Sequence, residues 1–270
     1  YSLTIEAFMP DGRALQSGTS HNLGQGFAKA FGISYLGRDE KSHLPWQSSW
    51  GFSTRLIGGM IMTHGDDKGV VIPPRVAAVQ AVIVPIFFND SKRQVLEAAT
   101  ALRDALALAG IRVQLDDREE HNPGWKFNDH ELKGVPLRIE IGPKDVAKQQ
   151  CVLVRRHDGK KIFAALGGIA EKVKHELDSI QAELLDKAKA FLKDSIVKVT
   201  NKDALIKAIE ERKLVLAPFC CEKDIEEELK AGTGGATSRC IPLDAPAIRD
   251  EKCVWSGRPA KAWVYFAKAY

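Results

Sequence analysis

The run Trp50-Gly51-Phe52-Ser53-Thr54-Arg55 places two hydroxyl side chains directly before an arginine. That arginine opens an apolar, glycine-spaced segment, Leu56-Ile57-Gly58-Gly59-Met60-Ile61-Met62. A cation at the entrance of a buried-looking apolar element needs an anion or a carboxylate to offset it. Arginine suits phosphate in particular, because it stays charged and presents a planar fork of donors. Upstream, Gln16-Ser17-Gly18-Thr19-Ser20-His21-Asn22-Leu23-Gly24 offers amide, hydroxyl and imidazole groups beside glycine, a set suited to a small polar ligand. A polar turn uses the same residues. The interval between the two runs lets neighbouring strands bring them together. A third stretch, Leu115-Asp116-Asp117-Arg118 followed by Asn122-Pro123-Gly124-Trp125-Lys126-Phe127 and by Glu131 to Asp145, interleaves both signs of charge with aromatics. Such residues read nucleobases: arginine or lysine at guanine O6 and N7, glutamate at the amino edge, aromatic rings by stacking. They also form ion-pair networks on helix–strand surfaces, and the sequence leaves both readings open.

The bulk numbers narrow the class. The 270 residues are 44% hydrophobic and 27% charged, which fits one to three globular domains. The net charge of +4 accommodates a polyanion without requiring one. No apolar run is long enough for a membrane helix, so no membrane partner is expected. Five cysteines, an odd number spread along the chain, do not read as a disulfide framework and favour a reducing, cytoplasmic setting. Tyr1-Ser2-Leu3-Thr4-Ile5 reads as a strand already in progress, with no signal peptide, so the sequence is expected to be internal to a longer protein.

Three segments position these residues. In the first, Leu3–Phe8 and Arg13–Ser17 read as strands around the turn Pro10-Asp11-Gly12, Phe27–Phe31 as a short helix stopped by Gly32, and Ile33–Leu36 as a strand before a polar loop. Pro73-Pro74 marks a boundary. The second segment alternates helix and strand. Ala81–Ile86 is a continuous apolar strand, Ser91 and Gln94 predict a capping box, and Val95, Ala99, Leu102 and Leu106 keep helical period up to Gly110. Strands are predicted at Ile111–Leu115, Val135–Ile141 and Val152–Val154, with a helix from Gly124 to Lys133. This is a mixed, mostly parallel sheet covered by helices. The third segment opens with an amphipathic helix whose stripe runs from Ile169 through Val173, Leu177, Ile180, Leu184 and Ala188 to Phe191. A helix capped by Thr200 and Asp203, a strand Leu214–Ala217, an acidic helix Asp224–Ala231 and a strand Trp263–Phe266 follow.

These motifs resemble the prolyl-tRNA synthetases of the eukaryote/archaeon-like type, a group of class II aminoacyl-tRNA synthetases. Thr4–Phe8, Gly12–Gln25, the motif-3-like run Ser49–Arg55 and the junction Pro73–Ala77 carry the resemblance, which extends over essentially the whole chain. It implies an α+β/α/β architecture. Residues 1–78 would be the second half of the class II catalytic domain, with part of its antiparallel sheet. Residues 79–185 would be an α/β anticodon-binding domain with a mixed sheet, and 186–270 a small α+β C-terminal domain. It implies ATP contacts at Gln16, Thr19, Ser53 and Arg55, with Arg55 the catalytic cation, and a proline pocket at His21, Trp50 and Gly51. Arg118, Lys126, Glu131, Arg138 and Glu140 are the anticodon candidates. The implied activity joins L-proline to tRNA(Pro) through a prolyl-adenylate, with ATP and Mg2+, in a homodimer whose N-terminal half carries motifs 1 and 2. A non-catalytic tRNA-binding paralogue and another class II synthetase, threonyl or histidyl, are the alternatives.

Several relatives hold a structural zinc with four cysteines. Here Cys220 and Cys253 stand where two of those lie, and Ile225 and Trp255 where the other two would be. Four ligands are the norm for such a site, so reduced cysteines in a small core are expected, with no metal. The final residue, Tyr270, matches a terminal tyrosine whose carboxylate, in the family, folds back towards the catalytic cleft.

Overall fold

The computed structural model describes residues 1–270. The chain forms two compact units, residues 1–62 with 191–270, and residues 63–190.

In the first unit, β1 (Ser2–Phe8) and β2 (Arg13–Gly24) pair antiparallel. Their register shifts between Ile5 and Glu6, a bulge that sets Glu6 opposite Gln16. The helix α1 (Gly26–Ala30) and a two-stranded ribbon of β3 (Tyr35–Leu36) and β4 (Ser42–His43) follow. The ribbon gives structure to part of the stretch read as a polar loop. β5 (Gln47–Phe52) then pairs antiparallel with β2, so β2 is held on both edges and runs on through Gly24. The motif-3-like arginine opens a helix, α2 (Arg55–His64). Here the structure corrects the expectation of a buried element: only Gly59 of α2 is buried, against Leu15, while Leu56, Ile57, Ile61 and Met62 are exposed. The reason is that Leu3, Ile5, Trp50 and Phe52 on the neighbouring sheet are exposed as well, so this apolar surface has no covering layer within the chain.

The second unit is built on five strands. β6 (Ala81–Pro85) is buried at every position and forms the sheet's interior. α3 (Lys92–Leu108) follows, packing Val95, Ala99, Leu102 and Leu106 inward. Its predicted capping box does not form: the Ser91 hydroxyl turns back to the Phe88 backbone and makes no cap bond to the helix. β7 (Val113–Leu115), α4 (Pro123–Leu132), β8 (Leu137–Ile141), α5 (Pro143–Ala147), β9 (Gln150–Arg155) and β10 (Lys161–Ala165) complete the order β10-β9-β8-β6-β7. β7, β6 and β8 are parallel, whereas β9 pairs antiparallel with both β8 and the edge strand β10, so parallel and antiparallel pairings are equal in number. α6 (Ile169–Ser195) lays Ile169, Val173, Leu177, Ile180 and Leu184 into this core. The segment before β6 runs beside the end of α4, with Val70 donating to Leu132 and Ile72 to Gly134. Gly69 and Gly134 permit this: both have positive φ, and a Cβ on Gly134 would lie 2.5 Å from the Val70 carbonyl oxygen.

The chain then returns to the first unit with β11 (Ile196–Lys198), α7 (Lys202–Glu210), β12 (Leu214–Phe219), α8 (Lys223–Gly232), β13 (Ala236–Ser238) and β14 (Ala262–Ala269). The cap of α7 is Asn201, whose side chain accepts from Ala204, rather than the predicted Thr200 and Asp203; an Asx side chain directly at the helix entrance reaches the free backbone donors better. β14 pairs parallel with β2, and the resulting sheet runs β1-β2-β14-β12-β11, with β5 on β2 and β13 on β14. Leu205, Ile209, Val215, Phe219, Ile225, Leu229, Val264 and Phe266 form the core beside it.

Candidate functional site

Across β1, β2 and β5, Thr19 lies between Thr4 and Gly51, His21 between Ser2 and Ser49, and Ser20 between Leu3 and Trp50. Directly opposed residues of antiparallel strands share a face, and successive residues alternate. One face therefore carries hydroxyls and imidazole, the other Leu3, Ile5, Trp50 and Phe52. On the polar face lies an open depression of about 360 Å³, bordered by Gln16, Thr19, His21, Ser49, Trp50, Gly51, Ser53 and Arg55. The residues named from the sequence for ATP and for proline thus border one depression. Trp50 is the odd member: its register sends the indole to the apolar face, where it is 76% exposed, 6.5 Å from the ring of Phe52.

Local bonds fix the polar residues. Ser53 donates its backbone N–H to the Ser17 carbonyl at 3.3 Å, and the Ser53 hydroxyl accepts from the Arg55 N–H at 3.3 Å. Ser2 Oγ lies 2.6 Å from His21 Nδ1, which orients the imidazole and leaves Nε2 for a ligand. Gln16 Nε2 donates to Thr4 Oγ1 at 3.2 Å. The guanidinium of Arg55 meets no carboxylate and no other protein acceptor, and it stands at the first residue of a ten-residue helix. An unpaired arginine at a helix N-terminus is a favourable place for a phosphate or carboxylate. The depression has no carboxylate on its border, so magnesium would come with a triphosphate.

The anticodon candidates of the second unit have a different environment. Asp116, 2% exposed, accepts from Arg118 Nε at 2.8 Å and from Arg118 NH2 at 2.7 Å, and lies 2.8 Å from His130 Nε2. Lys126 is equally buried and donates to the Asp116 carbonyl at 3.0 Å. Burial alone would raise the Asp116 carboxyl, but the bonds from Arg118 and His130 and the charge of Lys126 hold it well below the usual carboxylate range. Lys126 therefore has its ammonium inside the protein, where a base edge does not reach. Arg118 keeps one side exposed, with its guanidinium 5.2 Å from the ring centre of Trp125, and Trp125 stacks on His121 at 3.7 Å. Glu131 accepts from Lys68 at 3.2 Å. Arg138 donates to Glu140 at 2.8 Å and lies over Phe127 at 4.2 Å. Sequence reasoning named Asp116 only within a charged run and passed over His130 and His121. A usable signal was there for one of them: Lys126 and His130 are one turn apart on α4 and share a side of that helix.

Two further clusters bear on metals. Cys220, Cys253 and Ile225 are buried and Trp255 packs against them, so apolar side chains fill the positions of two thiolates. Burial pushes the Cys220 thiol up, and Cys221 points elsewhere, to the Phe219 carbonyl. These residues do not fit a tetrahedral zinc. His157, Asp158 and Glu183 come together in the second unit, but the Arg155 guanidinium is bonded to Glu183 and supplies the positive charge there. In the first unit, the Tyr270 hydroxyl donates to Asp11 Oδ2 at 2.7 Å, and burial, then Asp11, push the phenol up to about 12.

Comparison with known proteins bears on both units. A family model described as "Anticodon binding domain" matches residues 80–176, and one described as "Prolyl-tRNA synthetase, C-terminal" matches 202–270. The chain is 45% identical over its whole length to the cytoplasmic proline–tRNA ligase of Arabidopsis thaliana, covering 52% of that protein. It is 47% identical over 99% of its length to the proline–tRNA ligase of Ruminiclostridium cellulolyticum, covering 55%. It is 45% identical over its whole length to that of Cenarchaeum symbiosum, covering 56%. The chain spans about half the length of the curated relatives it matches, and the matched half is their C-terminal portion.

Proposed function

We propose, for a chain that belongs to the prolyl-tRNA synthetase family and matches its C-terminal portion, that the protein activates L-proline with ATP and transfers it to tRNA(Pro). The observation that carries the activation step is the depression on the polar face of β1, β2 and β5, with one unpaired guanidinium at its edge. Activation is attack of the amino-acid carboxylate on the α-phosphorus with pyrophosphate leaving, and it needs positioned cations and donors, not a covalent nucleophile. Arg55 supplies charge for the triphosphate, and Gln16, Thr19 and Ser53 supply polar contacts to the nucleotide. His21 and Gly51 bound the space left for the proline ring and its secondary amine. Magnesium accompanies the phosphates and no residue of the depression is assigned to it. The apolar reverse face, with Leu3, Ile5, Trp50 and Phe52, is suited to the hydrophobic packing of the remaining catalytic domain, which brings motifs 1 and 2 and the homodimer contacts.

In the second unit the reading of tRNA rests on Trp125, stacked on His121 and flanked by Arg118. An exposed aromatic ring beside a guanidinium is a platform for an unstacked base, and Arg118, Glu131 and the Arg138–Glu140 pair surround the base edges. Lys126, buried under Asp116, supports the platform from within.

The test is amino-acid-dependent exchange of pyrophosphate into ATP, run on the full-length protein with proline, threonine and alanine. Exchange with proline is expected; exchange with threonine alone would replace this reading with another class II specificity, and none with any amino acid would favour a tRNA-binding paralogue. Residues 1–270 alone are expected to be silent, since they span about half the length of the ligases they match.

A further inference from the structure

Glu6 lies near the depression without bordering it. Its carboxylate is 12% exposed at the side chain, and one oxygen, Oε2, accepts from Arg239 Nε at 3.1 Å and Arg239 NH2 at 2.8 Å. Arg239 is itself 13% exposed and comes from the strand-end after β13, more than two hundred residues along the chain. The other oxygen, Oε1, accepts from Thr4 Oγ1 at 3.2 Å; the same hydroxyl lies 3.2 Å from the Gly18 carbonyl. Gln16 Nε2 in turn donates to Thr4 Oγ1. The bulge at Ile5/Glu6 makes this possible, because it sets Glu6 opposite Gln16 and puts both on the polar face with Thr4.

The polarity of this series is forced. A carboxylate paired with arginine only accepts, and so does a backbone carbonyl, so the single Thr4 proton is committed to one of them. The Thr4 oxygen is then an acceptor, and the Gln16 side chain meets it with its amino group. Its carbonyl oxygen, Oε1, has no protein donor and is left for the depression. The geometry points to Arg239, Glu6 and Thr4 as positioning residues that fix the orientation of the Gln16 amide, so that the site presents an acceptor to a donor group of the nucleotide. This rests on the ATP-site reading above. ATP has two kinds of donor to offer, its ribose hydroxyls and its exocyclic adenine amine.

The experiment uses the full-length protein and proline-dependent pyrophosphate exchange, with KM measured for ATP, 2′-deoxy-ATP, 3′-deoxy-ATP and inosine triphosphate. The wild type is expected to discriminate against at least one analogue that lacks its donor. In Arg239→Met the KM for ATP is expected to rise about tenfold, the worth of roughly one well-placed hydrogen bond, while the KM for that analogue stays put and discrimination collapses. The KM for proline is unchanged, and Arg239→Lys restores part of the discrimination. Thr4→Val, which keeps the side-chain shape and removes the hydroxyl, reproduces the effect if Arg239→Met does not fold. Which analogue loses its handicap tells ribose from adenine. Discrimination at wild-type strength in Thr4→Val, or an equal rise in KM for ATP and every analogue in Arg239→Met, overturns the assignment. Absence of exchange in the wild type is a different result, and it removes the activation reading together with this one.

Discussion

The two charged regions of the molecule use arginine in opposite ways. Around the depression of the first unit, the guanidinium of Arg55 has no protein partner, and the hydroxyls and imidazole beside it are oriented by short local bonds. In the second unit nearly every charge singled out is already paired: Arg118 with Asp116 and Asp129, Lys126 with Asp116, Glu131 with Lys68, and Arg138 with Glu140. The contrast teaches what an open cation means. An unpaired arginine presented on a scaffold is set for an anion that arrives from outside. A cation already satisfied inside the protein holds architecture, and recognition there falls to aromatic faces and to whatever edges remain exposed.

The largest effect should come from removing the open cation. Arg55→Ala in the full-length protein is expected to lower proline-dependent pyrophosphate exchange by about a hundredfold or more, the usual cost of losing one transition-state electrostatic contact. Its melting temperature should stay close to wild type, because the exposed guanidinium has no partner to lose. A large fall in melting temperature with it would erase the distinction between the two regions.

The next effect separates two neighbours in the second unit. Lys126→Met removes a buried cation from Asp116 and is expected to cost about 3–5 kcal/mol of stability, read by urea denaturation. Trp125→Ala, one residue away, should leave stability nearly unchanged and weaken tRNA binding by about 1–3 kcal/mol, the worth of one stacked base. Equal effects of the two on tRNA binding at matched folded fraction would put Lys126 back among the base-reading residues.

The smallest effect is acid sensitivity. Asp66 is held down to about 2, from an ordinary 3.8, chiefly by the Arg156 hydrogen bond, and Glu183 to about 2, from 4.5, by Arg155 and then His157. A carboxyl whose folded value is depressed contributes stability above its unfolded value, and that contribution is lost as pH falls towards the folded one. The melting temperature is therefore expected to hold above about pH 4.5 and to decline from there towards pH 2. Asp66→Asn should remove part of that slope; an unchanged profile in this variant would show that its pairing with Arg156 contributes nothing.

Local pattern carried much of this protein into view. The apolar run Ala81–Pro85 is a strand buried at every position, the period of Val95, Ala99, Leu102 and Leu106 is a helix, and the stripe from Ile169 to Leu184 faces a core. Short-range detail was less legible. Ser91 and Thr200 have the right type and spacing to cap helices, yet the chain bends so that Ser91 bonds backward and Asn201 takes the cap beside Thr200. The exposed apolar side of α2 could not be told from a buried one, because composition does not say what lies opposite.

By itself the sequence determined which residue types exist to do the chemistry, and the interval between two runs, Gln16–Gly24 and Trp50–Arg55, allowed neighbouring strands to bring them together. Only the tertiary structure decided which side chains share a face and which charges cancel. Register sends the Trp50 indole away from Thr19 and His21, a bulge turns Glu6 and Gln16 to the same side, and Arg239 reaches Glu6 from the far end of the chain. The physical reason is that alternation along a strand is fixed locally, whereas the partner of a side chain depends on pairing and packing between segments remote in sequence.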